Sequence, residues 1–291
     1  MTEEEVRVGV HVSIAGSIDK AADRAIERGC NTFQIFSRNP RGWKFKELVS
    51  DDAKRFLKKV EDYGISPAVD HMPYLPNLAT PKDEVYQRSV ESLMIELARC
   101  NALGIPYLVT HLGSHLGTGR GKGFQRIIGA INNALFEVEN EVMILLENTA
   151  GTKNSMGGTF EDIGYIIDHI EERERIGVCL DTCHAFAAGY ELRNEEGLEG
   201  TIRQLDDMIG TEHLKIIHLN DSKGGLNSRL DRHEHIGLGQ IGEGGFETML
   251  RHSIFRRLPL ILETPVDERR DDIGNIKVVR ELYKHIKASP I

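Results

Sequence analysis

Eight short apolar runs, separated by segments of helical periodicity, constrain the fold of this 291-residue chain more than any other feature. Near-continuous apolar character over a few residues is typical of strands buried on both faces, as in a parallel sheet. The intervening segments 17–28, 83–103 and 159–172 carry apolar residues at helical spacing. The eight runs lie at 6–12, 32–36, 65–71, 107–111, 142–147, 176–181, 214–219 and 258–263.

The alternation of strands and helices predicts the fold class. Eight parallel βαβ units close most economically into a (β/α)₈ (TIM) barrel, and a doubly wound open sheet is the alternative. The sequence contains no Ser/Gly/Pro-rich linker and no low-complexity tract that would divide it. We therefore expect residues 1–291 to form one barrel domain, with its active site at the C-terminal rim of the strands.

Composition excludes several classes of protein. The formal net charge of −9 argues against a protein that coats nucleic acid through bulk positive charge. No apolar run approaches the ~18 residues of a membrane span, and the acidic start MTEEE is unlike a secretory signal. The four scattered cysteines are too few for a secreted disulfide framework. We expect a cytoplasmic protein with reduced thiols and no membrane partner.

Six consecutive strand ends carry potential metal ligands. These residues are spaced 34 to 45 positions apart, about one strand-loop-helix unit each. In order they are His71, His111, Glu147, Asp181, His218 and Glu263. Barrel closure would bring all six to one rim, where three imidazoles and three carboxylates in a dry funnel need a partner. The pattern predicts a metal cluster.

Three more candidate ligands lie in loops, namely His184, Asp231 and His233. Mixed imidazole and carboxylate ligation suits Zn²⁺ best, with Mn²⁺ or Fe²⁺ as alternatives. At three or four ligands per ion, nine ligands fit two or three ions, and a carboxylate such as Glu147 can bridge two of them. Clustered divalent ions favour hydrolysis of a phosphoester.

The chain resembles the endonuclease IV family of abasic-site DNA repair nucleases along essentially its whole length, from GVHVS at 9–13 to ETP at 263–265. The most specific matches are HMPYLPNLA at 71–79, HLGSHLG at 111–117, LENTAG at 146–151, GVCLDTCHAFAAGY at 177–190 and HLNDSKGGLNSRLDRHEHIGLG at 218–239. The resemblance implies a (β/α)₈ barrel with three zinc ions. It also implies cleavage 5′ to an abasic site in duplex DNA, which leaves a 3′-hydroxyl and a 5′-deoxyribose phosphate, together with a 3′-repair phosphodiesterase activity.

The resemblance also implies a role for each candidate ligand. By this likeness His71 and His111 hold one zinc, and Glu147 bridges it to a second. The second zinc is completed by Asp181, His218 and Glu263, and the third is held by His184, Asp231 and His233. Hydroxide activated by this cluster is the implied nucleophile, Glu147 and Glu263 are the implied catalytic carboxylates, and Mn²⁺ is an alternative occupant of one site.

Three residues match positions that the family inserts into the duplex where the base is missing: Arg41, Tyr74 and Leu75. Such wedges are reasonable at a step already weakened by the lost base. Without the resemblance, Tyr74 and Leu75 read equally well as packing of the barrel rim and Arg41 as a surface charge. Basic residues of the rim loops are either contacts to the DNA backbone or a solvated face; they are Arg120, Lys122, Lys153 and Lys223.

Two positions depart from the family pattern. Leu112 replaces a common proline, which should loosen the loop after His111 without moving that ligand. Asn227 replaces a common glycine, and asparagine is the best substitute if the position has a positive φ.

Other polar residues of the predicted rim have weaker assignments. His11 ends the first strand and is expected to orient a ligand or contact phosphate, and Ser114, Asn148 and Asn220 are candidates to bond phosphate. We expect the remaining histidines at the surface: His115, His169, His213, His235, His252 and His285.

Three functions are consistent with the sequence. The first is a zinc phosphodiesterase that acts on abasic DNA, as a monomer. The second is a metal-dependent sugar isomerase or epimerase on the same type of barrel, which needs one or two ions and neither the third ligand set nor the wedge residues. The third is a metal-stabilised DNA-binding protein without catalysis.

Overall fold

A computed structural model of the protein describes residues 5–288. Eight strands pair in parallel at the centre of the fold. The strands are β1 (Val8–Val10), β2 (Phe33–Ile35), β3 (Ala68–His71), β4 (Tyr107–His111), β5 (Met143–Glu147), β6 (Ile176–Asp181), β7 (Leu214–His218) and β10 (Leu260–Leu262), while β8 (Asp221–Ser222) and β9 (His233–Glu234) form a separate antiparallel hairpin. The parallel sheet runs β2-β3-β4-β5-β6-β7-β10-β1. It closes between β1 and β2 through a bridge of His11 with Gln34. The predicted (β/α)₈ barrel is confirmed.

Ten α-helices of the described chain follow the strands. They are α1 (Lys20–Glu27), α2 (Ser50–Asp62), α3 (Asp83–Ala102), α4 (Arg120–Glu137), α5 (Phe160–Asp168), α6 (Thr182–Ala188), α7 (Glu195–Met208), α8 (Gly242–Arg251), α9 (Ser253–Arg257) and α10 (Asp272–Ala288). The three helices predicted from periodicity all form; α3 begins at the predicted residue, and the other ends are shorter by one to four residues. Their buried faces complete a large apolar layer between the helices and the outer side of the barrel.

A second, smaller apolar layer fills the inside of the barrel. It contains one fully buried side chain from each of six consecutive strands: Val69, Val109, Leu145, Cys179, Ile216 and Ile261. Side chains two residues apart on a strand point to the same face. The residues two positions further along therefore point to the same interior, one layer nearer the C-terminal rim.

The long segment after β7 is held by one buried carboxylate. Asp221 accepts backbone N–H bonds from Gly237, Gly239 and Ile241 at 2.9 to 3.0 Å, which ties the start of the segment to its end. The middle is fixed on α6, because the N–H of Asn227 donates to Phe186 O at 3.1 Å. Asn227 has φ +59°, which agrees with the reason for expecting asparagine there.

Two expectations from composition concern the cysteines and membrane-spanning helices. The four cysteines are buried and free, so none forms a disulfide. Between residues 5 and 288 no helix combines the length and the apolar character that a bilayer crossing requires. Residues 1–4, most of the acidic start, lie outside the described residues.

Candidate metal centre

The six strand-end residues meet inside the C-terminal rim of the barrel. Each follows a member of the inner apolar layer by two positions, so strand alternation alone points its side chain inward. Parallel register places His111 beside Glu147 and Asp181 beside His218. Glu263 directly follows β10, which ends one residue earlier than the sequence predicted.

Glu147 lies at the centre of the cluster, fully buried. Its Oε2 is 3.2 Å from His71 Nε2 and 3.1 Å from His111 Nδ1, whereas its Oε1 is 3.0 Å from His218 Nδ1. The two oxygens therefore face different histidines, which is the arrangement a bridging carboxylate needs. Although burial opposes ionisation, the histidines around it hold the pKa of Glu147 well below its usual range.

The nine candidate ligands form three groups whose ligand atoms lie within 4.8 Å of one another. The groups are His71, His111 and Glu147; Glu147, Asp181, His218 and Glu263; and His184, Asp231 and His233. They coincide with the three sets that the family resemblance implies. Cys183 is also within reach of Asp181 and His233, but burial raises the pKa of its thiol to about 12. A thiolate is therefore disfavoured there, and Cys183 is a fully buried thiol of the interior.

The spacing of the third group fits a shared cation. His184 Nε2 is 3.2 Å from Asp231 Oδ1, and His233 Nε2 is 3.7 Å from the same oxygen. His233 Nε2 is buried and has no hydrogen-bond partner among residues 5–288. Two ligands about 2.1 Å from one tetrahedral zinc lie about 3.4 Å apart. The donor set and these separations thus fit ligation of one shared cation.

The electrostatics of this group point the same way. Although burial lowers it, the carboxylates of Asp181, Asp231 and Glu147 raise the pKa of His184 to about 10. The hydrogen bond from His184 lowers the pKa of Asp231 to about 2. His184 and Asp231 line a pocket of about 450 Å³, and within residues 5–288 no lysine or arginine lines it. The excess of carboxylate charge calls for cations from solution.

Backbone carbonyls fix the orientation of three histidines. His71 Nδ1 is 2.7 Å from Met72 O, His184 Nδ1 is 3.0 Å from Asn148 O, and His233 Nδ1 is 3.1 Å from Glu263 O. A carbonyl oxygen only accepts, so each Nδ1 carries the hydrogen and each Nε2 faces the cluster. Such partners set both the tautomer and the ring orientation of a ligating histidine.

The two asparagines that the sequence suggested for phosphate are instead buried supports of the cluster. Asn148 Oδ1 accepts from the N–H of Asp181 at 2.7 Å. Asn220 donates from Nδ2 to Asp181 Oδ2 at 2.7 Å and accepts the N–H of Glu263 at 2.8 Å. The expectation that either side chain contacts phosphate directly is wrong, because both side chains are bonded within the protein.

Sequence reasoning missed Gln34 and misplaced two histidines. Gln34 lies fully buried on β2 and bonds Glu263; the only signal was a polar residue inside the apolar run TFQIF. His115 and His235 are buried, not at the surface. His235 donates from Nε2 to Asp267 and accepts at Nδ1 from Asn275 Nδ2, and His115 Nδ1 accepts the N–H of Gly119. Both stabilise rim loops.

The three predicted wedge residues lie beside the metal pocket and point outward. Tyr74 is 61% exposed and Leu75 39%, and Arg41 is also exposed. Tyr74 lines the pocket, its ring contacts Phe36 edge-on at 4.9 Å, and its N–H donates to Pro40 O at 3.2 Å. The ring of Tyr74 therefore packs on Phe36 and still leaves most of its surface accessible at the rim.

Known proteins share both the sequence and the fold. A protein from Methanoculleus marisnigri, named as a probable endonuclease 4, is 60% identical over 95% of this chain and 99% of its own length. The chain belongs to the endonuclease IV family. A crystal structure of endonuclease IV from Thermus thermophilus matches with a TM-score of 0.85 and 35% identity, covering 96% of this chain and 99% of that one. Residues 22–288 also match the family model described as xylose isomerase-like TIM barrel.

The same barrel occurs in proteins outside the endonuclease IV family. The structure of a D-tagatose 3-epimerase-like protein matches with a TM-score of 0.73 at 17% identity, over 96% of this chain and 98% of that one, which shows the fold alone.

Leu112 lies where the family resemblance implies a proline. That side chain is fully buried and lies so close to Gly157 that a Cβ there would be 2.6 Å from Leu112 Cδ1. The leucine therefore packs beneath the 151–158 loop.

Proposed function

We propose that this chain is a DNA-repair endonuclease that hydrolyses the phosphodiester bond 5′ to an abasic site in duplex DNA and leaves a 3′-hydroxyl. The observation that carries the proposal is the arrangement of nine ligand side chains in three groups around Glu147. Membership of the endonuclease IV family supports the substrate. A 3′-repair phosphodiesterase activity at the same site is part of the proposal.

The three groups would hold divalent cations, for which we propose three zinc ions, with Mn²⁺ as an alternative at one site. Such ions lower the pKa of water towards neutrality and stabilise charge on the oxygens of a phosphoester in displacement. Glu147 would bridge two ions, because its oxygens face separate groups of histidines. The carboxylate of Asp181 is held by Asn220 and that of Glu263 by Gln34, so these carboxylates need not reorganise when a substrate binds.

The wedge residues would recognise the lesion. Tyr74 and Leu75 are exposed beside the pocket, where an aromatic ring and an aliphatic side chain can enter the gap left by a missing base. Arg41 lies in the adjoining loop and would bond phosphate or fill the stack. A duplex that has lost a base costs least to open, which favours abasic sites over intact DNA.

A second pocket of the rim would contact the DNA backbone. It is lined by the side chains of Arg120, Lys153 and Arg229, with Asp162 paired to Arg120. The remaining positive charge would attract phosphate to a protein whose net charge is −9. Because the substrate is chromosomal DNA, we expect the protein to act in the cytoplasm, in association with the nucleoid.

The test is incision of a duplex that carries one abasic site. The arms are wild type, wild type after chelation with and without zinc added back, and Glu263→Ala; the exposed Glu171→Gln variant is the control. We expect cleavage 5′ to the lesion with a 3′-hydroxyl product, lost on chelation and in Glu263→Ala but not in Glu171→Gln. Tight abasic-DNA binding by zinc-loaded wild type without any cleavage would contradict catalysis and favour a binding protein.

The fold also occurs in sugar epimerases, so epimerase activity needs its own test. An epimerase would bind one or two ions and turn over a ketose, whereas the three groups here predict about three ions per chain. Metal analysis after equilibrium dialysis and an assay with ketohexoses separate the two. Ketose turnover with no incision of abasic DNA would replace the nuclease proposal.

A further inference from the structure

Gln34 occupies the seam where the barrel closes. It lies on β2 between the apolar Phe33 and Ile35, forms the bridge to His11 of the first strand, and is completely buried. An amide at such a position costs free energy unless it is hydrogen-bonded. Its side chain is directed to the C-terminal rim, towards the group of Glu147, Asp181, His218 and Glu263.

The amide of Gln34 contacts three members of the rim. Its Nε2 donates to Glu263 Oε1 at 2.7 Å and is 3.1 Å from His11 Nδ1. Its Oε1 is 2.8 Å from His218 Nε2. One side chain thus bonds two proposed metal ligands and the residue that ends the first strand.

The chemistry of the partners decides which atom of His218 faces the cluster. The carboxylate of Glu263 accepts hydrogen bonds, so the nitrogen of the amide faces it and the amide oxygen faces His218. An amide oxygen only accepts, so His218 Nε2 carries a hydrogen. The nitrogen left for a metal is Nδ1, which is 3.0 Å from Glu147 Oε1 and 3.4 Å from Glu263 Oε2.

His218 differs in this respect from three other ligand histidines. His71, His184 and His233 donate from Nδ1 to backbone carbonyls and present Nε2. Their orientation follows from the course of the chain, whereas that of His218 depends on the side chain of Gln34. Among these four histidines, a substitution of Gln34 can therefore remove the support of His218 only.

We propose that Gln34 is a positioning residue of the metal centre, which selects Nδ1 of His218 as ligand and holds the carboxylate of Glu263 beside it. The inference rests on the proposed function, since it assumes that this group binds zinc. Gln34 itself touches neither metal nor substrate; it acts through the two ligands.

The test compares Gln34→Met, which keeps an unbranched side chain of similar volume without the amide, with wild type. Thr32→Val is the matched control, because the Thr32 hydroxyl is also buried next to β2 and bonds Pro67 O at 2.7 Å, away from the rim. Zinc affinity is measured by competition with a chromogenic chelator. We expect one ion to bind about 10- to 100-fold more weakly in Gln34→Met and no change in Thr32→Val.

A second variant and a second measurement keep the inference testable if Gln34→Met does not fold. Gln34→Glu keeps an acceptor for His218 but brings a carboxylate against Glu263, so we expect weaker binding of the same ion. Nitrogen-15 spectra of histidine-labelled, zinc-loaded wild type show which nitrogen of His218 carries hydrogen, and we expect Nε2. This readout requires no variant to fold.

The outcomes separate this inference from the proposed function. Hydrogen on Nδ1 of His218 in zinc-loaded wild type, or unchanged affinity for all ions in folded Gln34→Met, would overturn the role of Gln34 and leave the endonuclease proposal standing. Wild type that binds no zinc would overturn the metal centre, and with it both.

Discussion

The metal centre and the wedge loops adjoin at one rim but are built differently. Glu147, Asp181 and His218 are fully buried at strand ends, where ladder register and the inner apolar layer fix their direction. Tyr74 and Leu75 lie in a loop and are exposed to 61% and 39%. The proposed chemistry would thus rest on rigid strand ends and the proposed recognition of DNA on an adaptable loop.

This difference has an experimental consequence. Changes in the metal centre should alter ion content and cleavage together, while changes in the wedge should alter DNA binding and leave ion content intact. A wedge variant that lost both DNA affinity and bound ions would contradict this difference.

The largest effect is expected for Glu147→Gln. The substitution keeps the shape but removes the negative charge that faces His71, His111 and His218. We expect incision to fall by about 10³-fold or more, beyond the 10- to 100-fold typical of residues that only support a ligand, with loss of at least one ion per chain. Single-turnover incision and metal analysis measure the two effects.

Glu171→Gln, an exposed carboxylate exchanged in the same way, is the control for Glu147→Gln and should match wild type. Incision by Glu147→Gln within tenfold of wild type would show that this carboxylate does not bridge the centre.

The next effect concerns the third ligand group, which shares no residue with the other two groups described above. Asp231→Ala removes the oxygen that lies 3.2 Å from His184 Nε2 and 3.7 Å from His233 Nε2. We expect one ion fewer per chain after dialysis in limiting zinc. Incision should be about 100-fold slower, because one of the cations that would stabilise charge on the reacting phosphate is lost. The exposed Asp207→Ala is the control. Three ions bound by Asp231→Ala would remove Asp231 from the ligand set.

The two regions also differ in how well the sequence predicted them. The six strand-end ligands followed from a spacing of one βα unit, because a period of two on each strand carries the direction of a side chain with it. Asp231 and His233 lie in a long segment whose course depends on Asp221 and on the anchoring of Asn227 against α6. No period encodes such a course, so their residue types alone made them candidates, and only the family resemblance implied that they form a ligand group with His184.

The support of the ligands was beyond local reasoning for a related reason. Asn148 and Asn220 were expected to face phosphate, and Gln34 was not considered. Each bonds a residue from a different strand, 33 to 229 positions away in the chain. Register between strands decides these contacts, and the period along one strand does not say which residue of another strand lies opposite.

A smaller effect is expected for the wedge. In Tyr74→Ala/Leu75→Ala, ion content should equal that of wild type, while affinity for a non-cleavable abasic duplex should fall about 10- to 100-fold, since a lost aromatic contact with a base costs about 1 to 3 kcal/mol. Fluorescence anisotropy measures the affinity. Tyr165→Ala, which removes a partly exposed aromatic ring on α5, is the control. Equal loss of affinity for intact and abasic duplexes would contradict a role in recognising the missing base.

The smallest effect tests whether recognition extends beyond the wedge into the basic pocket. Lys153 is exposed and lines that pocket with Arg120 and Arg229, of which Arg120 is already paired with Asp162. If Lys153 contacts one phosphate, Lys153→Ala should reduce the slope of log affinity against log salt by about 0.9, with less than about tenfold loss of affinity near physiological salt. The loss should be the same for abasic and intact duplexes, because a phosphate contact carries no information about the lesion. Lys54→Ala, an exposed lysine on α2, should leave the slope unchanged. A salt slope equal to that of wild type would confine DNA recognition to the wedge and the metal rim, and the difference between a rigid centre and an adaptable border would then rest on Arg41, Tyr74 and Leu75 alone.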